Sequence, residues 1–528
     1  MTTDGPGDPP RISRRRVLLG AGALAGSAAV GLATAGAAHA DGPPTAWPTR
    51  GLGPRDAGTV DAAQFLPVAQ MKAWHEQLDS MGMRATGAPV HERYVDQLVS
   101  RLKQVGVKHV HTEPVPLDRW SATHWSLEVT GPSGAGPIGT ASYIPYSGGT
   151  PPGGVEGPLA IVPAGQMPAP GSLAGKVALL RVPVTSTPHS TMESIAYGTY
   201  DPQHLIDPAG QYSRPWTGIT GLISLLDALP ASGAVGAVAV IDLPAAGAHG
   251  SYYPYDGVIR TTPGVFVDGP TGRHLEGLAT SNVSVRLTLD SATERMVSRN
   301  VVGVIEGRSP QTVILNSHTD GPNAVEDNGP NTIVAMCQYL TRLPKASLPR
   351  TLVVSLTTGH FYGGIGQKTF AAEHRDSTLR QAVCGVTLEH LGALEWDSQP
   401  DGTMALTGRH ELGVMFVPEN RALVDASLAA IRRAGAGPAL VLRPYVPAPG
   451  SPNGFGWPGE GTQLWTDGHL PTVNYITGPT YLLNWGIPTT NKCDFVRMRR
   501  QAVSFTQMAL DLSRVPSQSL ATLDLPGL

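Results

Sequence analysis

The second half of this chain alternates two kinds of segment, and that rhythm restricts its fold more than any other feature. Short runs of continuously apolar, β-branched-rich residues at 301–305, 312–315, 351–356, 383–388 and 472–476 are interleaved with helical patterns at 331–340 and 422–434. Strands that are apolar at every position belong to a sheet covered on both faces. The pattern predicts an α/β domain with a mixed, mostly parallel central sheet and helices on both sides. Upstream, residues 64–105 read as two helices joined by a turn at 82–87. In the second, Val95, Leu98, Val99, Leu102 and Val105 recur at helical spacing among Glu92, Arg93, Asp96 and Lys103. Residues 107–115 then alternate as a strand.

Between 131 and 290 the character changes. Glycine and proline are dense, and short β-like runs stand at 176–182, 237–241 and 264–267. At 528 residues the chain is too long for one ordinary core. The expected organisation is therefore a main domain built from 41–130 and 291–528, interrupted by a smaller α/β insert over 131–290.

Residues 1–40 read as an address rather than as structure. Ser13-Arg14-Arg15-Arg16-Val17-Leu18-Leu19 is a twin-arginine export pattern, an Ala- and Gly-rich weakly apolar run follows, and Ala38-His39-Ala40 is a small-x-small cleavage site. The mature protein is expected to be secreted or extracytoplasmic, with no stable membrane insertion once the signal is cut. Three cysteines, Cys337, Cys384 and Cys493, are too few for a disulfide framework and read as buried thiols. A net charge of -3 without a basic block in the mature part gives no footprint for nucleic acid.

Four places carry residues suited to chemistry, each just past the C-terminal end of an expected strand, the edge at which open α/β sheets bind ligands. Asn316-Ser317-His318-Thr319-Asp320 follows 312–315, and an aspartate two residues after a histidine is placed to orient its ring. Glu326-Asp327-Asn328-Gly329 precedes the helix at 331, and Leu388-Glu389-His390 ends 383–388. One imidazole and two carboxylates suit zinc or a similar divalent ion. The fourth place is the glycine-rich turn Thr358-Gly359-His360-Phe361-Tyr362-Gly363-Gly364-Ile365-Gly366, whose histidine can act as base or ligand.

At these residues the chain resembles the co-catalytic zinc aminopeptidase and glutamate-carboxypeptidase-like family. Met83-Arg84-Ala85-Thr86-Gly87 is similar to its N-terminal signature. The stretches 173–179, 233–237 and 262–265 resemble a protease-associated insert, and Ser298-Arg299-Asn300-Val301-Val302-Gly303 resembles the strand that re-enters the peptidase domain. The resemblance implies a zinc aminopeptidase-like fold with a protease-associated insert. It also implies that His318 and Glu389 bind zinc, with Asp327 as the bridge to a second ion.

The second half of that site departs from the family pattern. Aligning the closing glycine to Gly366 puts His360 where the family has its general base and Phe361 where it has a ligand. Counting back from Lys492 places Asn484 at the last histidine ligand. The expectation is one retained zinc position beside a degenerate one. His360 would be the base of a hydrolase cleaving a peptide or acyl amide with a metal-bound water, and Asn484, Tyr481 and Phe361 would touch substrate. Two alternatives stand beside it: a non-catalytic homologue that binds a peptide or small metabolite in the cleft, and a hydrolase of other acyl compounds such as esters.

Overall fold

The computed structural model describes residues 47–130 and 135–526; the expected export signal at 1–40 lies outside the described residues. The strands expected from the apolar rhythm are present as Ser309–His318, Arg350–Thr357, Ala382–Leu388 and Thr472–Thr477. They run parallel, with Ser309–His318 between Arg350–Thr357 and Ala382–Leu388, and Thr472–Thr477 outside the latter. Their side chains are buried on both faces. Val313, Leu315, Leu352 and Val354 point into the larger core, while Ile314 and Val353 join Phe370, Leu464 and Leu470 on the other side. Each such side chain removed from water contributes about 1.5–3 kcal/mol, which is why these runs tolerate no polar interruption.

Helices cover both faces. Gly329–Leu340 is buried along all 12 residues, wedged between the sheet and the helices Val68–Ser80, Pro89–Gln104 and Phe495–Leu512. That burial explains its unbroken run Thr332-Ile333-Val334-Ala335-Met336-Cys337. Phe495–Leu512 starts at Asp494, whose carboxylate accepts from the N–H groups of Val496 and Arg497. On the opposite face lie Ile365–Glu373 and Thr462–Thr466. The outcome is a mixed α/β fold whose central strands are mostly parallel.

Two long strands exceed the sequence expectation. Lys108–Thr130 and Ser284–Ile305 form one antiparallel ribbon from Lys108↔Val304 to Thr130↔Ser284. One end of the ribbon pairs Val301–Ile305 with Arg350–Thr357. At the other, Ser284–Leu287 pairs with Val155–Ile161, so the sheet continues through Val177–Arg181, Gly236–Ile241 and Gly264–Asp268. These four strands are mutually parallel and have their own apolar core. The segment expected as an insert is not self-contained, because Ala196–Tyr200 leaves it to pair with Ala439–Leu442 at the far edge of the sheet. Cys337, Cys384 and Cys493 are free and buried. No helix among the described residues is long and apolar enough to cross a membrane.

Candidate metal centre

His318 is the last residue of Ser309–His318, and the loop that follows, 319–328, is buried throughout. A buried loop must pair its own polar groups. Asn323 does much of this: its amide nitrogen lies 2.8–3.1 Å from the carbonyls of Tyr481, Leu482 and Asn484, and its oxygen accepts from the N–H groups of Val325 and Glu326. The turn at 82–87 docks on the same loop through paired backbone bonds between Arg84 and Gly321. Gly321 has to be glycine here, since a Cβ would lie 2.2 Å from Glu326 Oε2.

The docked turn decides the fate of Asp327. The Arg84 guanidinium forks onto it, Nε to Oδ2 at 2.6 Å and Nη2 to Oδ1 at 2.7 Å, with neither side chain exposed. Both carboxylate oxygens are thereby engaged, and Asp327 belongs to neither group of convergent donors. Burial pushes its carboxyl up, against the pull of Arg84.

Glu326, one residue earlier, faces the other way. Its Oε1 lies 3.6 Å from His318 Nε2 and 3.6 Å from His390 Nε2. Glu389 Oε2 lies 3.5 Å from His318 Nε2 and 3.9 Å from His390 Nε2. Ligand bonds of about 2.1 Å set tetrahedral edges of about 3.4 Å, so these separations suit a zinc-sized cation. His318 Nε2, His390 Nε2, Glu326 Oε2 and Glu389 Oε2 are buried and have no hydrogen-bond partner. Those of His318, His390 and Glu389 converge, while Glu326 turns its other oxygen to the histidines; unpaired buried atoms of this kind are costly unless something binds them.

Both imidazoles are held with the lone pair inward. His318 Nδ1 lies 2.8 Å from the Asp320 carbonyl, and His390 Nδ1 lies 2.6 Å from the Thr477 carbonyl. A carbonyl only accepts, so each Nδ1 carries the hydrogen and each Nε2 is free to ligate. It is thus the backbone of Asp320, rather than its carboxylate, that orients His318. His390 achieves its position with a left-handed backbone, φ 53°, which is strained for a side chain of this kind and marks the site.

The electrostatics show a cluster short of positive charge. Burial would lower the His318 imidazole, but Glu326, Glu389 and Glu460 outweigh it and raise it well above the ordinary value. Burial pushes Glu326 up to about 7, against His318 and His390. Glu389, despite burial, is pulled down to about 2 by His318 and its neighbours.

The remaining expected residues sit as follows. His360 stacks on His318 with ring centroids 4.3 Å apart, and with His318 and Glu326 forms a second convergent group. Its turn is capped by the Asp320 carboxylate, which accepts from the N–H groups of His360 and Phe361 and from the Thr86 hydroxyl. Phe361 packs on Tyr252, Tyr255 and His360. Asn484 and Tyr481 are not brought to the cluster. The Asn484 amide donates to the carbonyls of Gly247 and His249, and the Tyr481 hydroxyl bonds the carbonyls of Leu394 and Lys492. Glu326, His390, Arg84 and Glu460 are the participants that the sequence reading did not assign. For Glu460 the available signal was its placement in Gly459-Glu460-Gly461, between two residues chosen for close backbone approach.

Solved structures share this architecture. A zinc aminopeptidase from Bacillus subtilis aligns at TM-score 0.56 and 13% identity, covering 85% of this chain and 97% of that one. A peptidase M28 precursor from Shewanella amazonensis aligns at TM-score 0.56 and 16% identity, covering 85% and 98%. An aminopeptidase from Aneurinibacillus sp. strain AM-1 aligns at TM-score 0.52 and 14% identity, covering 86% and 94%. No protein-family model matches the chain, and no curated protein does. Likeness at this level of identity speaks for the backbone and not for the side chains of the site. The chain has the zinc aminopeptidase-like fold.

Proposed function

We propose that this chain is an exported, metal-dependent hydrolase that cleaves a peptide or acyl-amide bond using a single zinc ion held by His318, Glu326, Glu389 and His390. The observation that carries the reading is the convergence of buried groups on two unpartnered imidazole nitrogens: Glu326 Oε1 and Glu389 Oε2 each lie 3.5–3.9 Å from Nε2 of His318 and of His390. Two carboxylates and two imidazoles are a donor set that suits a dication, whose charge the carboxylates would balance. The expected ligand set is revised accordingly: Glu326 and His390 enter, and Asp327 leaves because Arg84 occupies it. That occupation supports one cation rather than a bridged pair. When bound, zinc polarises a carbonyl and makes water acidic enough to attack it near neutral pH.

His360 is the acid–base group of this reading, since it stacks on His318 and is the most exposed residue of the two convergent groups. Phe361, with Tyr252 and Tyr255, offers an apolar wall for a substrate side chain. The named activity of the fold's relatives, aminopeptidase, supports a peptide-like substrate. The twin-arginine pattern at residues 13–19 supports export.

The test is a panel of aminoacyl anilides, peptides, acyl amides and esters, assayed with mature protein before and after chelation. Hydrolysis that is lost with chelator, restored by zinc and absent in His318→Ala is the expected result. Activity indifferent to chelation would overturn the reading. A non-catalytic role is favoured by one observation, the near-complete burial of His318, Glu326, Glu389 and His390. A zinc-loaded protein inert across the panel would select that role.

A further inference from the structure

We propose that Glu460 is the positioning residue for His360, fixing which of its ring nitrogens is free to exchange a proton. This rests on the hydrolase reading above. Glu460 is fully buried, in the loop that opens the helix Thr462–Thr466. Its Oε2 lies 2.9 Å from His360 Nδ1, and its other oxygen accepts from the Thr357 hydroxyl. Its backbone N–H donates to Glu389 Oε1 at 3.0 Å. One residue therefore touches both the acid–base histidine and a candidate ligand, by side chain and main chain respectively.

The flanking glycines make this placement possible. A Cβ at Gly459, whose φ is +113°, would lie 2.9 Å from Glu389 Oε1 and 3.0 Å from Asn474 Oδ1; one at Gly461 would lie 2.8 Å from Asn474 Oδ1 and from Thr387 Oγ1. With no side chains there, the loop presses onto the strand ends and carries the carboxylate of Glu460 into the interior. An ionised carboxylate only accepts, so His360 Nδ1 carries the hydrogen and Nε2 keeps its lone pair. Stacking on both His318, at 4.3 Å, and Tyr255, at 5.5 Å, holds the ring plane.

The consequence for amide hydrolysis is a defined proton path. As water adds to the carbonyl carbon and the new C–O bond forms, its proton passes to His360 Nε2. The same proton passes on to the leaving nitrogen as the C–N bond breaks, releasing a carboxylic acid and an amine. Nδ1–H stays on the ring throughout, and Glu460 stabilises the imidazolium between the two transfers.

The experiment uses mature protein labelled with 15N-histidine, with the His360 signals assigned by their loss in His360→Gln. Wild type is expected to show a protonated Nδ1 and a bare Nε2. In Glu460→Ala the ring is expected to interchange tautomers, and kcat to fall about 10²–10⁴-fold at nearly unchanged KM. Metal content is expected to stay at the wild-type level, since the N–H of residue 460 still serves Glu389. Glu460→Gln keeps an acceptor without the charge, so it is expected to retain the tautomer and fall between the two in kcat. An unchanged tautomer in Glu460→Ala, or an unchanged kcat despite a freed ring, overturns the proposal. If zinc-loaded wild type hydrolyses nothing, the hydrolase reading fails, and the tautomer comparison alone then decides whether Glu460 sets the ring.

Discussion

Replacing Arg84 with methionine removes the guanidinium that pairs with Asp327, and the cost follows from the geometry. Both side chains are at 0% exposure, and the pair is bidentate at 2.6 and 2.7 Å. Breaking one side of such a pair leaves an uncompensated buried charge, worth about 3–5 kcal/mol. The carbonyls of Leu78 and Gly82 lose a donor as well, adding about 1 kcal/mol. Without the guanidinium, burial is opposed chiefly by His318 and raises the Asp327 carboxyl further, so the folded variant binds a proton that the unfolded chain releases. A raised carboxyl costs stability as pH climbs above its unfolded value, so the deficit of Arg84→Met is expected to be larger at pH 8 than at pH 5. Urea unfolding followed by tryptophan fluorescence measures both, and Arg84→Met/Asp327→Asn is expected to recover most of the loss. A single-variant cost under about 1 kcal/mol, or no recovery in the double variant, would refute the reasoning that Arg84 is what withdraws Asp327 from the cluster.

Other positions give independent checks. Burial lowers the His75 imidazole to about 4, against the pull of Asp79, so the histidine is neutral in the fold. Its contribution is complete above the unfolded value near 6.5 and is lost as pH falls through 4, amounting to roughly 3 kcal/mol; His75→Gln is expected to flatten that part of the stability–pH curve. Phe361→Ala is expected to cost about 3–5 kcal/mol in urea unfolding while leaving zinc affinity unchanged, since its ring packs on Tyr252, Tyr255 and His360 and not on the proposed ligands. Tyr481→Phe is expected to cost about 1–3 kcal/mol without changing kcat or KM, because its hydroxyl serves only backbone carbonyls.

The central sheet was legible because its strands are buried on both faces, leaving unbroken apolar runs such as Val313-Ile314-Leu315. The long ribbon was legible only in part. Lys108–Thr130 exposes Asp118, Thr123 and His124 along its middle, so its extension comes from pairing with Ser284–Ile305 and not from a hydrophobic pattern. Its partner was read only at 301–305 for the same reason.

His318 and Glu389 could be singled out because they sit at strand ends. The choice between Glu326 and Asp327 could not be read from neighbouring residues, since both are carboxylates in the same loop. It is settled by Arg84, 243 residues away in the chain. His390 was overlooked because its ring reaches the cluster through a left-handed backbone that no spacing rule anticipates. Counting from Lys492 placed Asn484 at a ligand position, whereas its amide turns toward the carbonyls of Gly247 and His249.

Elemental analysis of mature protein purified without added zinc, in wild type and in two carboxylate variants, addresses the cation directly. The expected result is about one zinc per chain in wild type and in Asp327→Asn, and little in Glu326→Gln. Metal-free wild type, or zinc that departs with Asp327→Asn and persists in Glu326→Gln, would contradict a single ion gripped by His318, Glu326, Glu389 and His390.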